Sequence, residues 1–288
     1  MNLALLGAGR RNARGVATWA AEHQAVLGAC RRLQLDGRDV HVLPVDARAQ
    51  NSVGLPEGVN LVSTSVANNE VGTLQPRPTV PGSLLHLDAC QGPQWLEIDL
   101  TDVHFAAFSG HKLGAGSGGL LFVRDGVLLE PLQYGGPQER GRRAGLEDVR
   151  SATAIAVALE ICVRERRERA AAVTPLAAML SEALVAAGGQ LTGGGTRLPN
   201  HASAIFEGIR GEDLLLALDL AGVAASSGSA CASGSLDPSH VLLAMGFSLE
   251  QALCSLRLTC GYETTLEEVE RAAEIVVSVV GRLARTPA

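Results

Sequence analysis

Short apolar runs separated by Gly, Pro, Asn and Asp organise the first half of the chain. They are HVLPV at 41–45, NLVSTSVA at 60–67, SLLHLDA at 83–89, VHFAAFSG at 103–110 and GLLFV at 119–123. Each is rich in strand-forming residues, and several leave room for a helix before the next. Residues 16–33 read as a helix. This alternation predicts an α/β layered domain on a largely parallel sheet. In such sheets ligand-holding residues stand at the carboxyl ends of strands. Asn69, Asp88 and Ser109 each fall at or just beyond such an end.

After residue 145 the texture changes. An Ala-rich helix is expected over roughly 149–172, its run RERRER at 164–169 forming a solvated face. A second helix is expected at about 174–187, followed by the Gly-rich turn GGQLTGGG. HASAIFEGI reads as a strand and EDLLLALDLAG as a helix ending at Gly222. The last helix opens on a capping box, Thr265 with Glu268, and keeps apolar residues inward through Val280. The chain therefore divides into a large domain at 1–145 and a smaller α+β C-terminal domain at 146–288. Between the last units, AASSGSACASGS at 224–235 surrounds one cysteine, Cys231, with small residues. It reads equally as a linker with an incidental thiol or as a segment that lets a nucleophile travel.

Composition narrows the function. A formal net charge of −6 gives no electrostatic grip on nucleic acid or an anionic membrane. No uninterrupted apolar run approaches the roughly 18 residues of a membrane helix. Leu3 to Leu6 are followed rather than preceded by arginines, which argues against a secretory signal; an organelle-targeting reading of the acid-free first 21 residues is a minor alternative. Six cysteines, at 30, 90, 162, 231, 254 and 260, show no CxxC spacing, so no metal is expected and a reducing cytoplasm fits. Gly7-Ala8-Gly9 lacks the third glycine of a dinucleotide loop.

Ser109-Gly110-His111-Lys112 places a lysine directly after a strand in a Gly-rich turn. A deprotonated lysine amine can form a Schiff base with a carbonyl, and Ser109 and His111 could bind an anion beside it. Asp88 ends the neighbouring run, and a carboxylate near such a lysine is the pairing used to hold a protonated pyridine. On these residues alone, a surface lysine and a surface aspartate would be the commoner outcome.

Seven ordered blocks change that balance: AEHQAVL at 21–27, ANNEVGTLQP at 67–76, HLDACQ at 86–91, SGHKLG at 109–114, GGPQERGRRAG at 135–145, SSGSACASGSLDPSHVL at 226–242 and SLRLTCG at 255–261. Together they resemble the cysteine desulfurases of the NifS/IscS group, class V aminotransferase-like enzymes that use pyridoxal 5'-phosphate (PLP). The resemblance implies the fold type I of PLP-dependent transferases, a homodimer, and conversion of L-cysteine to L-alanine with a persulfide left on Cys231 for a sulfur-acceptor protein. It implies that Lys112 carries the cofactor, Asp88 pairs with the pyridinium nitrogen and Gln91 bonds the ring's phenolic oxygen. His23 would stack on the ring and shuttle protons, although a polar residue at a helix N-terminus is the plainer reading. Ser109 and His111 would contact the phosphate, while Asn69 and Arg257 would orient the substrate. The acceptor (iron–sulfur cluster scaffold, tRNA-thiolation relay or cofactor pathway) stays open.

The chain also departs from the family pattern. The family has a further N-terminal segment, with a phosphate-cradling Gly-Ala-Thr turn, before the point that Asn2-Leu3-Ala4 matches, so the large domain is expected to be N-terminally incomplete. Leu146 stands where the family has a threonine that reaches the phosphate, and GAGSGG at 114–119 lacks the usual Pro-Lys. These departures support an alternative: a catalytically impaired desulfurase-like protein acting as a dimerising scaffold.

Overall fold

The structure, a computed structural model, describes residues 1–12, 14–228 and 237–285. Cys231 lies outside the described residues. The chain forms two compact units: Met1–Pro44, Asn51–Ala67 and Gln75–Arg166 make the first, and Val45–Gln50, Asn68–Leu74 and Arg167–Ala288 the second. The boundary expected at 145/146 precedes the division, which runs through a helix and assigns two short early segments to the second unit.

The first unit opens with helix α1 (Asn2–Asn12), strand β1 (Gly15–Trp19), helix α2 (Gln24–Leu35) and strand β2 (Asp39–Leu43). Then come β3 (Val59–Ser65), β4 (Leu84–Asp88), β5 (Phe105–Ser109) and β6 (Gly119–Val123). Among the described residues these strands form one sheet in the order β2-β1-β3-β4-β5-β6. β1 to β5 pair in parallel and β6 returns antiparallel against β5. The expectation of an α/β, mostly parallel architecture is met.

The expected helix over 16–33 is corrected. Its first part is β1, five buried residues between β2 and β3, and only Gln24–Leu35 is helical. A strand covered on both faces shows a continuous apolar run instead of alternation, and such a run cannot be told from buried helix by periodicity. Leu5, Val16, Val26, Leu33, Leu61 and Phe105 pack together in the core beneath the two helices. Gly7 and Gly9 lie within α1, so they form no dinucleotide loop. A Cβ at Gly9 would stand 2.7 Å from the Leu33 methyls, which explains the small residue by close packing.

Helix α3 (Val149–Ala186) replaces the two helices expected on either side of residue 173. Pro175 sits inside it and removes one backbone donor. The helix runs on because Val173, Leu176, Ala177, Leu180 and Leu184 are buried around that position and reward continuity. By length and mean hydropathy alone α3 is long and apolar enough to cross a membrane, although no uninterrupted apolar run in it approaches that length. Its buried residues instead supply core, as where Ile155, Ala158 and Cys162 pack with Leu113.

The second unit continues with β7 (Gln190–Leu191), β8 (His201–Ile205), α4 (Gly211–Leu220), α5 (His240–Ala244), α6 (Leu249–Ala252), β9 (Ser255–Thr259) and α7 (Leu266–Leu283). The three strands form an antiparallel sheet, β7-β8-β9. The capping box at Thr265 is present: its hydroxyl accepts from Glu268 N while the Glu268 carboxylate accepts from Thr265 N.

Candidate active site

In the first unit the expected cofactor residues gather along one edge of the sheet, because parallel strands end on the same side. Asp88 is the last residue of β4 and Ser109 the last of β5, and Asp88 pairs in register with Ala107. Asp88 is buried, and its Oδ1 accepts from Cys90 N at 3.0 Å. Beyond Ser109 the chain folds into a single short turn, His111–Leu113, which carries Lys112. The turn is closed at its base by Gly110 N donating to Gly118 O at 2.9 Å. A Cβ at Gly110 would also stand 2.9 Å from that carbonyl, so the close approach requires glycine. The Lys112 carbonyl is held by Gln94 Nε2.

Lys112 and Asp88 share an electrostatic neighbourhood. The Cys90 thiol pKa is pushed up, mainly by burial and then by Asp88, while Lys112 acts on it in the opposite sense. Ser109 Oγ and His111 Nδ1 lie 2.9 Å apart, and Gln91 is half-buried three residues after Asp88. His23 follows β1 and caps α2, its Nδ1 accepting from Ala25 N at 3.1 Å. The plain helix-capping role is therefore real, and it fixes the neutral tautomer with the proton on Nε2.

Two neighbours of this edge were not anticipated. Glu22 is buried, and its Oε1 accepts from Ser65 N at 2.8 Å and from Ser65 Oγ at 3.2 Å. Burial, and secondarily the charge of Asp88, raise its pKa to about 8. Glu22 thus keeps its proton at neutral pH, and a second negative charge beside Asp88 is avoided. His86, also buried, contacts Ser63 Oγ through Nδ1 at 2.8 Å, and burial drives its pKa down to about 3. The only sequence signal for Glu22 was its place beside His23, and there it was absorbed into the first part of an expected helix that begins only at Gln24.

In the second unit Arg257 on β9 donates through Nη1 to the Asn69 carbonyl at 2.8 Å. The backbone of Arg257 pairs in both directions with Ser226, at 3.1 and 2.6 Å. Asn69 belongs to a tight turn in which Asn68 Oδ1 accepts from Glu70 N and Val71 N at 2.8 and 3.0 Å. Gly72 completes this turn at φ +74° against the His201 ring. The substrate pair expected from sequence is therefore in direct contact.

A model of the aminotransferase class-V family matches residues 1–272. The chain belongs to this family. Its relatives include the cysteine desulfurase NifS of Azotobacter vinelandii, 39% identical over 285 residues that cover 93% of this chain and 71% of the relative. The cysteine desulfurase IscS 1 of Archaeoglobus fulgidus is 36% identical over 300 residues, 98% of this chain and 78% of the relative. A solved structure described as a NifS-like protein superposes with a TM-score of 0.88 at 31% identity, covering 98% of this chain and 80% of the other. These desulfurase relatives favour the enzyme over the scaffold alternative.

Class-V aminotransferases are PLP enzymes, and the first unit's donor set fits that cofactor. It offers an amine at a strand end for the aldehyde, a buried carboxylate for the ring nitrogen, and a hydroxyl with an imidazole for an anionic group. Leu146, in place of the expected threonine, is 87% exposed and brings no such donor.

Proposed function

We propose that this chain is a cysteine desulfurase with the net reaction L-cysteine plus the Cys231 thiol giving L-alanine plus the Cys231 persulfide. The observation that carries the reading is Asp88 and the Lys112 turn at the ends of paired strands, in a chain of desulfurase kinship. Bound PLP supplies the electron sink for charge that develops at the substrate's Cα and beyond.

The chain's own residues hold and protonate. Lys112 Nζ would hold the cofactor through its aldehyde, and Asp88 would keep a proton on the ring nitrogen. Gln91 would steady the phenolic oxygen, while Ser109 and His111 would donate to the phosphate. His23, with its proton fixed on Nε2 by the cap at Nδ1, moves protons at that atom. Arg257 offers a planar fork to the amino acid's carboxylate, and its bond to the Asn69 carbonyl holds that fork in place. The Cys231 thiolate takes the sulfur: a new S–S bond forms as the substrate's C–S bond breaks, and the electron pair left on carbon is quenched by a proton. A homodimer, a protein sulfur acceptor and a reducing, cytoplasmic setting complete the reading.

The test is spectroscopic and chemical. Purified protein supplied with PLP is expected to be yellow, and Lys112→Ala is expected to lose the band. Cys231→Ser is expected to keep the colour and lose persulfide formation. Sulfide release by Cys231→Ser at the parent rate would remove Cys231 from its role.

A further inference from the structure

Glu70 has no part in the roles assigned above, yet it is a buried carboxylate with an unusual set of neighbours. Its Oε2 accepts from Ser239 Oγ, and its Oε1 lies 3.8 Å from His240 Nδ1. Ser239 is itself buried and caps α5, accepting from Leu242 N at 3.1 Å. On the other side stands Gly228, whose Cβ, if it had one, would lie 2.9 Å from Glu70 Oε2 and 3.0 Å from Ser239 Cβ. Gly228 N in turn donates to Ser255 Oγ on β9 at 3.1 Å. One carboxylate oxygen therefore accepts from Ser239 on one side of the stretch 229–236, which contains Cys231, and leaves no room for a side chain at Gly228 on the other.

Glu70 is itself rigidly seated. Its N–H bonds to Asn68 Oδ1, and its carbonyl accepts from His201 Nε2 at 3.1 Å. A buried carboxylate costs several kcal/mol of desolvation, and an apolar side chain of similar volume commonly serves a fold as well. Retaining an acid here is better explained by what it grips than by stability. Burial raises the Glu70 pKa, opposed first by the Ser239 hydrogen bond and then by His240 and Arg257.

We propose that Glu70 is a positioning residue that clasps the two flanks of the Cys231 segment, Gly228 and Ser239, and so fixes the base from which the thiol acts. This rests on Cys231 being the sulfur-accepting nucleophile. Glu70 acts through the flanks and touches no reacting atom.

The experiment compares parent, Glu70→Ala, Glu70→Gln, Ser239→Ala and Ser239→Thr as PLP-loaded holoenzymes. Three quantities are read: the cysteine-induced change in cofactor absorbance, the rate of Cys231 persulfide formation by mass spectrometry, and elastase cleavage between residues 228 and 239. Glu70→Ala is expected to keep the absorbance change and KM within about twofold, while kcat for persulfide formation falls ~10–100-fold, the scale of a misplaced reacting group. Glu70→Gln and Ser239→Thr, which keep the acceptor and the donor, recover kcat to within about threefold of the parent. Cleavage rises in both alanine variants and not in the conservative ones. Parental kcat and parental cleavage in Glu70→Ala would overturn the proposal. So would joint loss of cofactor absorbance and kcat that Glu70→Gln fails to rescue. Should the parent form no persulfide, the cleavage pattern still decides the clasp, and the nucleophile assignment fails separately.

Discussion

Glu22 gives the sharpest test of how burial shapes this site. Its pKa rises from 4.5 to about 8 because the carboxyl is enclosed and faces Asp88. The folded chain therefore holds this proton more tightly than the unfolded chain does. The stabilisation it brings is complete below the unfolded value of 4.5 and is gone once pH passes about 8. The gap corresponds to about 5 kcal/mol over that whole window, at 1.36 kcal/mol for each pH unit between the two values. Integrated between about pH 5.5 and about pH 7.5, the loss is about 2–3 kcal/mol. Glu22→Gln keeps the acceptor for Ser65 and cannot ionise, so its stability relative to the parent should rise by that amount over the interval. Urea unfolding followed by tryptophan fluorescence suits the measurement, because both tryptophans, Trp19 and Trp95, belong to the first unit. A relative change under about 1 kcal/mol, or one of opposite sign, would refute the reasoning, since it would mean that Glu22 is not held protonated by its surroundings.

Other outcomes follow from single contacts. Gly72→Ala puts a Cβ 2.7 Å from the His201 ring at a φ of +74°, and should destabilise the second unit by about 2–5 kcal/mol in denaturant melts. Thr265→Ala removes the cap of α7 and should cost about 1 kcal/mol with no effect on cofactor absorbance. Asp88→Asn cannot keep a proton on the ring nitrogen; kcat for alanine formation should fall by ~10²-fold or more while the protein still binds PLP, checked by absorbance and product assay.

Much of this fold is legible from punctuation in the sequence. β2 to β6 fall within two residues of the apolar runs at 41–45, 60–67, 83–89, 103–110 and 119–123 because turn residues bracket each of them. β1 escaped notice because burial on both faces erased its alternation, and it flowed into the helix behind His23. The break expected near residue 173 is overridden by the packing of Val173 and Leu176, and the helix continues through Pro175. At the site, the rule that ligands bind at strand ends located Asp88, Ser109 and, through the adjoining turn, Lys112. Nothing comparable marks Glu22 or Glu70. A buried carboxylate is written with the same letter as a solvated one, and only its partners, Ser65 and Asp88 or Ser239 and Gly228, tell them apart. Those partners lie from 43 to 169 residues away in sequence, beyond the reach of any local pattern.

The reversal of direction at β6 has an effect on how Lys112 is delivered. A crossover to another parallel strand would consume a dozen or more residues and usually a helix. The hairpin from Ser109 to Gly119 does it with the neck pinched by two glycines. So small a ring loses little entropy on closing, and the amine's coordinates depend on only a handful of torsions anchored to the sheet margin. Natural or engineered variants could therefore retune the reach of Lys112 by altering the outer rim of this ring, residues 114–117, with the neck and the sheet left as they are.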